Sequence, residues 1–135
     1  MGTLTRGLLD TSVVIAQADD GGLREHLPEE ISISVATLAE LHFGVLSAKD
    51  DEVRQHRLWR LGAIEAAFHP IPIDPPVARA FASVAYAVKT AGRQPRSRVM
   101  DLWIAATALA HRLPLYTRNG DDFLGLQDLL EVRVL

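Results

Sequence analysis

Gly7-Leu8-Leu9-Asp10-Thr11-Ser12 is a short apolar run that ends in an acid and then gives way to residues with helical spacing. The same pattern recurs down the chain. Ile31-Ser32-Ile33-Ser34-Val35, Pro70-Ile71-Pro72-Ile73, Leu115-Tyr116-Thr117 and Val132-Arg133-Val134 are further short runs of strand character. Between them, apolar spacing predicts helices over residues 11–18, 37–48, 50–67, 75–92, 98–112 and 121–126. Pro75-Pro76 suits a first helical turn, and Gly92 marks the end of that helix. Strands alternating with helices imply parallel strands joined by right-handed crossovers, hence a layered α/β sheet. Such sheets bind ligands at the carboxyl ends of their strands, which directs the search for chemistry to that edge.

The 135 residues hold no internal repeat or long linker, so one domain over residues 1–135 is expected. The absence of cysteine excludes disulfides, thiolate metal sites and cysteine nucleophiles, and fits a cytoplasmic protein. No apolar run approaches the ~18–20 residues of a membrane span, so no membrane partner is expected. Residues 1–6 lack the apolar core and cleavage site of a secretory signal. The formal net charge is −3, so any surface for a polyanion must be a local basic patch.

Four acids stand at informative places, and each has a structural alternative. Asp10 ends the first strand and is also a favoured helix cap. Thr37-Leu38-Ala39-Glu40 fits a capping box, with Thr37 as cap and Glu40 at its third position. Gly44, one turn beyond Glu40, would leave room beside that carboxylate, while Leu38, Leu41, Val45 and Leu46 form the apolar stripe. Asp101 opens a helix that is apolar almost all round, where an acid either complements the helix dipole or is paired or metal-bound. Thr117-Arg118-Asn119-Gly120-Asp121-Asp122-Phe123 reads as a turn in which either aspartate is a cap. Convergence favours a site. Asp10, Glu40 and the 117–122 group fall at one sheet edge, whereas simple wiring sends Asp101 to the opposite edge unless residues 92–97 provide a bent approach.

The Asp-Thr-Ser at 10–12, the Ala-x-x-Glu-Leu-x-x-Gly helix, the Asp-x-x-Ile-Ala-Ala-x-Ala helix and the Thr-x-Asn-x-x-Asp-Phe at 117–123 together resemble PIN domains, and in particular VapC-type toxins of bacterial toxin–antitoxin pairs. The resemblance runs from Leu9 to Phe123. It implies a three-layer α/β/α sandwich around a parallel sheet, in which the third acid does reach the shared pocket. By position it makes Asp10, Glu40, Asp101 and Asp122 the metal-holding, catalytic acids, with Asp121 adjacent to the fourth. Thr11, Ser12, Thr117 and Asn119 become supporting residues. It implies an endoribonuclease that cuts structured RNA such as tRNA or rRNA to 5′-phosphate and 3′-hydroxyl ends. A VapB-type antitoxin and a homodimer are the implied partners.

Crowded carboxylates repel unless a cation holds them, and oxygen-only ligands favour Mg²⁺ or Mn²⁺ over Zn²⁺. None of the histidines at 26, 42, 56, 69 and 111 joins these acids in a zinc pattern. Lys89, Arg93, Arg96 and Arg98 form a basic run without an acid just before Asp101, and Arg118 sits beside the fourth acid. Arg93, Arg96, Arg98 and Arg118 are the candidate RNA contacts. Trp59 lies off the stripe formed by Leu58, Leu61 and Phe68, and is either core or an anchor for a partner helix. Two rival readings are a PIN nuclease of RNA processing and a receiver-like signalling domain. The latter would want a lysine ending a late strand, where Thr117-Arg118-Asn119 stands instead.

Overall fold

The computed structural model describes residues 4–135; residues 1–3, at the start of the segment read as carrying no secretory signal, lie outside the described residues. Four strands, β1 (Arg6–Leu9), β2 (Glu30–Ser32), β3 (Leu115–Thr117) and β4 (Val132–Val134), form one sheet in the order β2-β1-β3-β4. Every pairing is parallel, with Gly7 opposite Ile31, Leu8 opposite Leu115, and Tyr116 opposite Arg133. The run at 70–73 does not become a strand. It makes one isolated bridge, between Ile71 and Ser34, because Pro70 and Pro72 have no N–H to extend a ladder.

Five helices cover the sheet: α1 (Thr11–Asp20), α2 (Val35–Leu46), α3 (Asp51–Ala67), α4 (Pro75–Thr90) and α5 (Val99–Ala110). Aspartates start three of them. Asp10, Asp50 and Asp74 each accept a hydrogen bond from the backbone N–H three residues on, satisfying a donor that a helix start leaves orphaned. The last predicted helix, 121–126, is instead a single 3₁₀ turn over Gly120–Phe123. Gly92 takes φ of +82° just past α4, the left-handed conformation that glycine adopts without a Cβ penalty.

Alternation along the strands splits the core in two. Leu8 and Leu115 face a cluster with Val77 and Val84 of α4 and Leu102 and Ile104 of α5. Leu9 and Tyr116 face the other way, against Val13 of α1, Leu41 of α2 and Leu61 and Ile64 of α3. The result is the α/β/α sandwich. α5 is the most buried helix, with Leu102 and residues Ile104 through Ala108 all inaccessible. Leu102 and Ile104 each contribute about 1.5–3 kcal/mol relative to exposure.

Two predicted stripes need correction. On α3 the buried residues are Leu61 and Ile64; Leu58 is exposed and Trp59 is 68% exposed, so the tryptophan is not core. On α2, Leu41 is buried but Leu46 projects into solvent.

Wiring also places Asp101 correctly without special pleading. A crossover helix runs antiparallel to its strands, so a helix feeding the start of β3 must itself start at the carboxyl edge. The expectation of an opposite edge overlooked that reversal. Contacts agree: Arg98, just before α5, lies 3.4 Å from Asp122 in the turn that follows β3.

Candidate functional site

The end of β1 sets the centre. Asp10 is buried, and its carboxylate accepts from Ser12 Oγ at 2.6 Å, the Val13 N–H at 3.1 Å and Thr117 Oγ1 at 2.5 Å. Burial pushes its pKa up, the three hydrogen bonds pull it down, and the charge on Asp122 pushes it up again. Asp10 is therefore a helix cap and a member of the acid group at once. The cap uses one oxygen, and carboxylate oxygens have lone pairs to spare.

Crosslinks tie the ends of β1 and β3 together. Besides the Asp10–Thr117 bond, Ser12 Oγ accepts from the Arg118 N–H at 3.1 Å, and Thr117 Oγ1 accepts from the Asn119 N–H at 2.9 Å. Asn119 thus supports the turn through its backbone, and its carbonyl accepts from the Asp122 N–H. Thr117 is fully buried, so its hydroxyl links two strand ends away from water.

Glu40 is not part of a capping box. Ser34, not Thr37, caps α2: its Oγ accepts from the Ala36 N–H at 3.0 Å, and helix formation begins at Val35. Three residues of extra helix carry Glu40 past the first turn, where no orphan N–H needs it. Its Oε1 instead accepts from Thr11 Oγ1 at 2.6 Å, and Thr11 also lies 3.1 Å from buried Thr37. At Gly44 a Cβ would meet only Arg57 Nη1, at 3.9 Å, and that guanidinium donates to the Gly44 carbonyl at 2.7 Å.

Asp101 stands in the first turn of α5, half-buried. Burial, then the charges of Asp122, Glu40 and Asp10, raise its pKa to about 6, with Arg98 opposing. Three acids from three separate elements thus act on Asp101. Asp122 is the acid of the 3₁₀ turn that faces the group. Its neighbour Asp121 is exposed and uses its backbone carbonyl to accept from Arg93 Nη1 at 2.8 Å.

The four carboxylates share one electrostatic neighbourhood without yet meeting at one point. Among the described residues, no three Asp, Glu, His or Cys side chains converge as an ion-holding group. Asp10, Glu40, Asp101 and Asp122 offer oxygen donors only, and their mutual repulsion is what a hard divalent ion relieves. Exposed His42 and His56 pair with Glu65 and Asp19.

The basic run is divided. Arg93 and Arg98 are held by the turn at Asp121 and Asp122, whereas Arg96 and Arg118 are exposed beside it. Sequence reasoning missed Ser34, whose buried hydroxyl caps α2 and accepts from Thr107 Oγ1 of α5 at 3.2 Å. It also misassigned Thr37, which buttresses Thr11. A serine at a strand end before a helix was the available signal.

The PIN domain family matches residues 7–128. Ribonuclease VapC5 of Mycobacterium tuberculosis is 39% identical over 134 residues, covering 98% of this chain and 96% of the relative. Ribonuclease VapC4 of the same organism is 36% identical over 117 residues, 86% of this chain and 88% of the relative. Among solved structures, a member of the VapBC family of toxin-antitoxin systems, VapBC-5 from Mycobacterium tuberculosis, superposes with a TM-score of 0.79 at 38% identity, over 97% of this chain and 98% of the other. FitAcB from Neisseria gonorrhoeae gives a TM-score of 0.74 at 29% identity, over 93% and 95%. The family match over residues 7–128 and these similarities along nearly the whole length lead to one statement: the chain belongs to the PIN-domain family, among the VapC ribonucleases.

Proposed function

We propose that this chain is a Mg²⁺- or Mn²⁺-dependent endoribonuclease whose site comprises Asp10, Glu40, Asp101 and Asp122, and that it serves as the toxin of a toxin–antitoxin pair. The observation that carries the reading is the grouping of acids from separate elements at one sheet edge, with Thr117 bonded to Asp10, Thr11 to Glu40, and the charges of Asp122, Glu40 and Asp10 bearing on Asp101. Repelling oxygen ligands of this kind suit a hard divalent ion. When bound, such an ion polarises a phosphodiester and lowers the pKa of a water. The protein's own part is to hold the acids. Thr117 and Ser12 orient Asp10, and Thr11 orients Glu40. Arg96 and Arg118 supply exposed positive charge for the RNA backbone, which an acidic chain needs locally. Cleavage to 5′-phosphate and 3′-hydroxyl ends in tRNA or rRNA follows from the family resemblance, as do a VapB-type antitoxin and a homodimer. The relatives solved as toxin-antitoxin systems and the exposed Trp59 and Leu58 of α3 support a protein partner.

The test is incubation of the purified protein with total tRNA and rRNA plus Mg²⁺ or Mn²⁺, with mapping of the new 5′ ends. Wild type is expected to cut and Asp10→Asn to be silent. Cleavage undiminished in Asp10→Asn would overturn the site assignment.

The fourth acid has its own comparison. Asp122→Asn is expected to lower the cleavage rate by about 10–100-fold or more, the effect typical of losing an interaction that holds a metal site. Asp121→Asn is expected to cut like wild type, because only the Asp121 backbone is engaged. For the basic run, Arg96→Ala is expected to weaken RNA binding evenly across sequences and reduce the slope of log affinity against log salt by roughly 1. Binding titrations from low to moderate salt measure it.

A further inference from the structure

A pocket of about 400 Å³ adjoins the acids, lined by Ala39, Glu40, Phe43 and Met100. Two helices build it in the same way. α2 carries Glu40 and, three residues on, Phe43; α5 carries Asp101 and, next to it, Met100. Each helix thus gives one acid to the candidate site and one large apolar side chain to the pocket beside it. Phe43 is 70% exposed, an unusual position for a phenylalanine whose helix has a buried face available. Its spacing from Glu40 puts both side chains on one side of α2, so the ring stands next to the carboxylate.

We propose that this pocket receives one unstacked nucleobase of the RNA adjacent to the phosphate being cut, stacked on Phe43 and edged by Met100. The inference rests on the ribonuclease reading above and narrows its substrate to RNA whose base next to the cut is free to leave the stack, as in a loop or bulge. The occupant follows from continuity. A nucleotide whose phosphate lies at Glu40 and Asp101 can place its base, one ribose away, in the adjoining pocket, and the surface there is an aromatic ring and a thioether. Aromatic faces are the common platform for splayed RNA bases, and sulfur adds polarizable contact with flat rings.

The test uses a twelve-nucleotide single-stranded RNA carrying one 2-aminopurine, together with initial cleavage rates on total tRNA. Wild type, Phe43→Ala, Phe43→Leu and Phe43→Trp are compared, with chain mass in solution measured by light scattering. Stacking on Phe43 is expected to quench 2-aminopurine in wild type and Phe43→Trp and not in Phe43→Ala or Phe43→Leu. The rate at low RNA concentration is expected to fall roughly 5- to 150-fold in Phe43→Ala, the range that base–aromatic stacking supplies, and to recover with Trp more than with Leu. Equal rates and quenching in wild type and Phe43→Ala would overturn the proposal. So would full recovery with Leu, which would make the side chain mere apolar filling. A change of oligomeric state in Phe43→Ala would assign the ring to an interface between copies of the chain and overturn it too. The quenching readout needs no cleavage. A wild type that quenches but does not cut refutes the ribonuclease reading and keeps the base pocket; one that cuts without quenching refutes the pocket alone.

Discussion

Asp101→Asn should abolish RNA cleavage and at the same time make the metal-free protein more stable. Both effects come from one carboxyl. Loss of an oxygen ligand at a metal-assisted site removes several kcal/mol of transition-state stabilisation, which is a fall of about 10³-fold or more in rate. Stability moves the other way because Asp101 is half-buried among Asp122, Glu40 and Asp10, and its pKa stands at about 6 rather than 3.8. In that window the folded protein retains a proton that the unfolded chain has released. Stability supplied by the protonated form is therefore complete below the unfolded value of 3.8 and is lost as pH rises through about 6. Thermal melting of chelator-treated protein should show a melting temperature that declines across this range in wild type. The decline should be shallower in Asp101→Asn, whose amide is neutral throughout. Metal affinity in wild type should rise over the same range, since the proton must leave before an ion can bind. A steeper decline in the variant would mean that Asp101 is held by a partner rather than strained by its neighbours.

Thr117→Val should be the most damaging change of a residue that itself offers no carboxylate. Valine matches threonine in shape, so the core stays filled, yet the change removes a buried hydroxyl that serves two partners. Asp10 loses the donor at 2.5 Å, and the Asn119 N–H loses its acceptor. Leaving a buried group unpaired costs about 1–3 kcal/mol, more when it is charged. Denaturant titration should register that loss, and cleavage should fall about 10–100-fold because Asp10 is no longer oriented. Thr117→Ser keeps the hydroxyl and should recover most of the rate. Equal damage from Ser and Val would shift the explanation from the hydrogen bond to packing of the methyl group.

These two residues also show how far a linear reading carries. Short apolar runs alternating with helical stretches are local patterns, set by period and by capping chemistry, so the parallel strands and the helix positions were legible. Failures came where local alternatives compete. Pro70 and Pro72 read as strand by their isoleucine neighbours, but a ladder needs N–H groups they lack. Thr37 matched a capping box, yet Ser34, three residues earlier, offered the cap first and moved Glu40 out of the first turn. Leu58 matched an apolar stripe on α3 with Leu61 and Phe68, while the face that meets the sheet is that of Leu61 and Ile64 and leaves Leu58 exposed.

By itself the sequence determined the fold class and the order of the candidate acids along the chain, because each lies in a short motif whose neighbours dictate its local structure. Tertiary structure alone decided what those acids do to one another. Four residues spread over more than a hundred positions share one electrostatic neighbourhood only when parallel strands align their carboxyl ends and α5 runs antiparallel to them. Only that assembly buries Asp10 against Thr117, brings the charge of Asp122 to bear on Asp10 and Asp101, and raises the pKa of Asp101, since charge repulsion and desolvation depend on distance in space and not on separation in sequence.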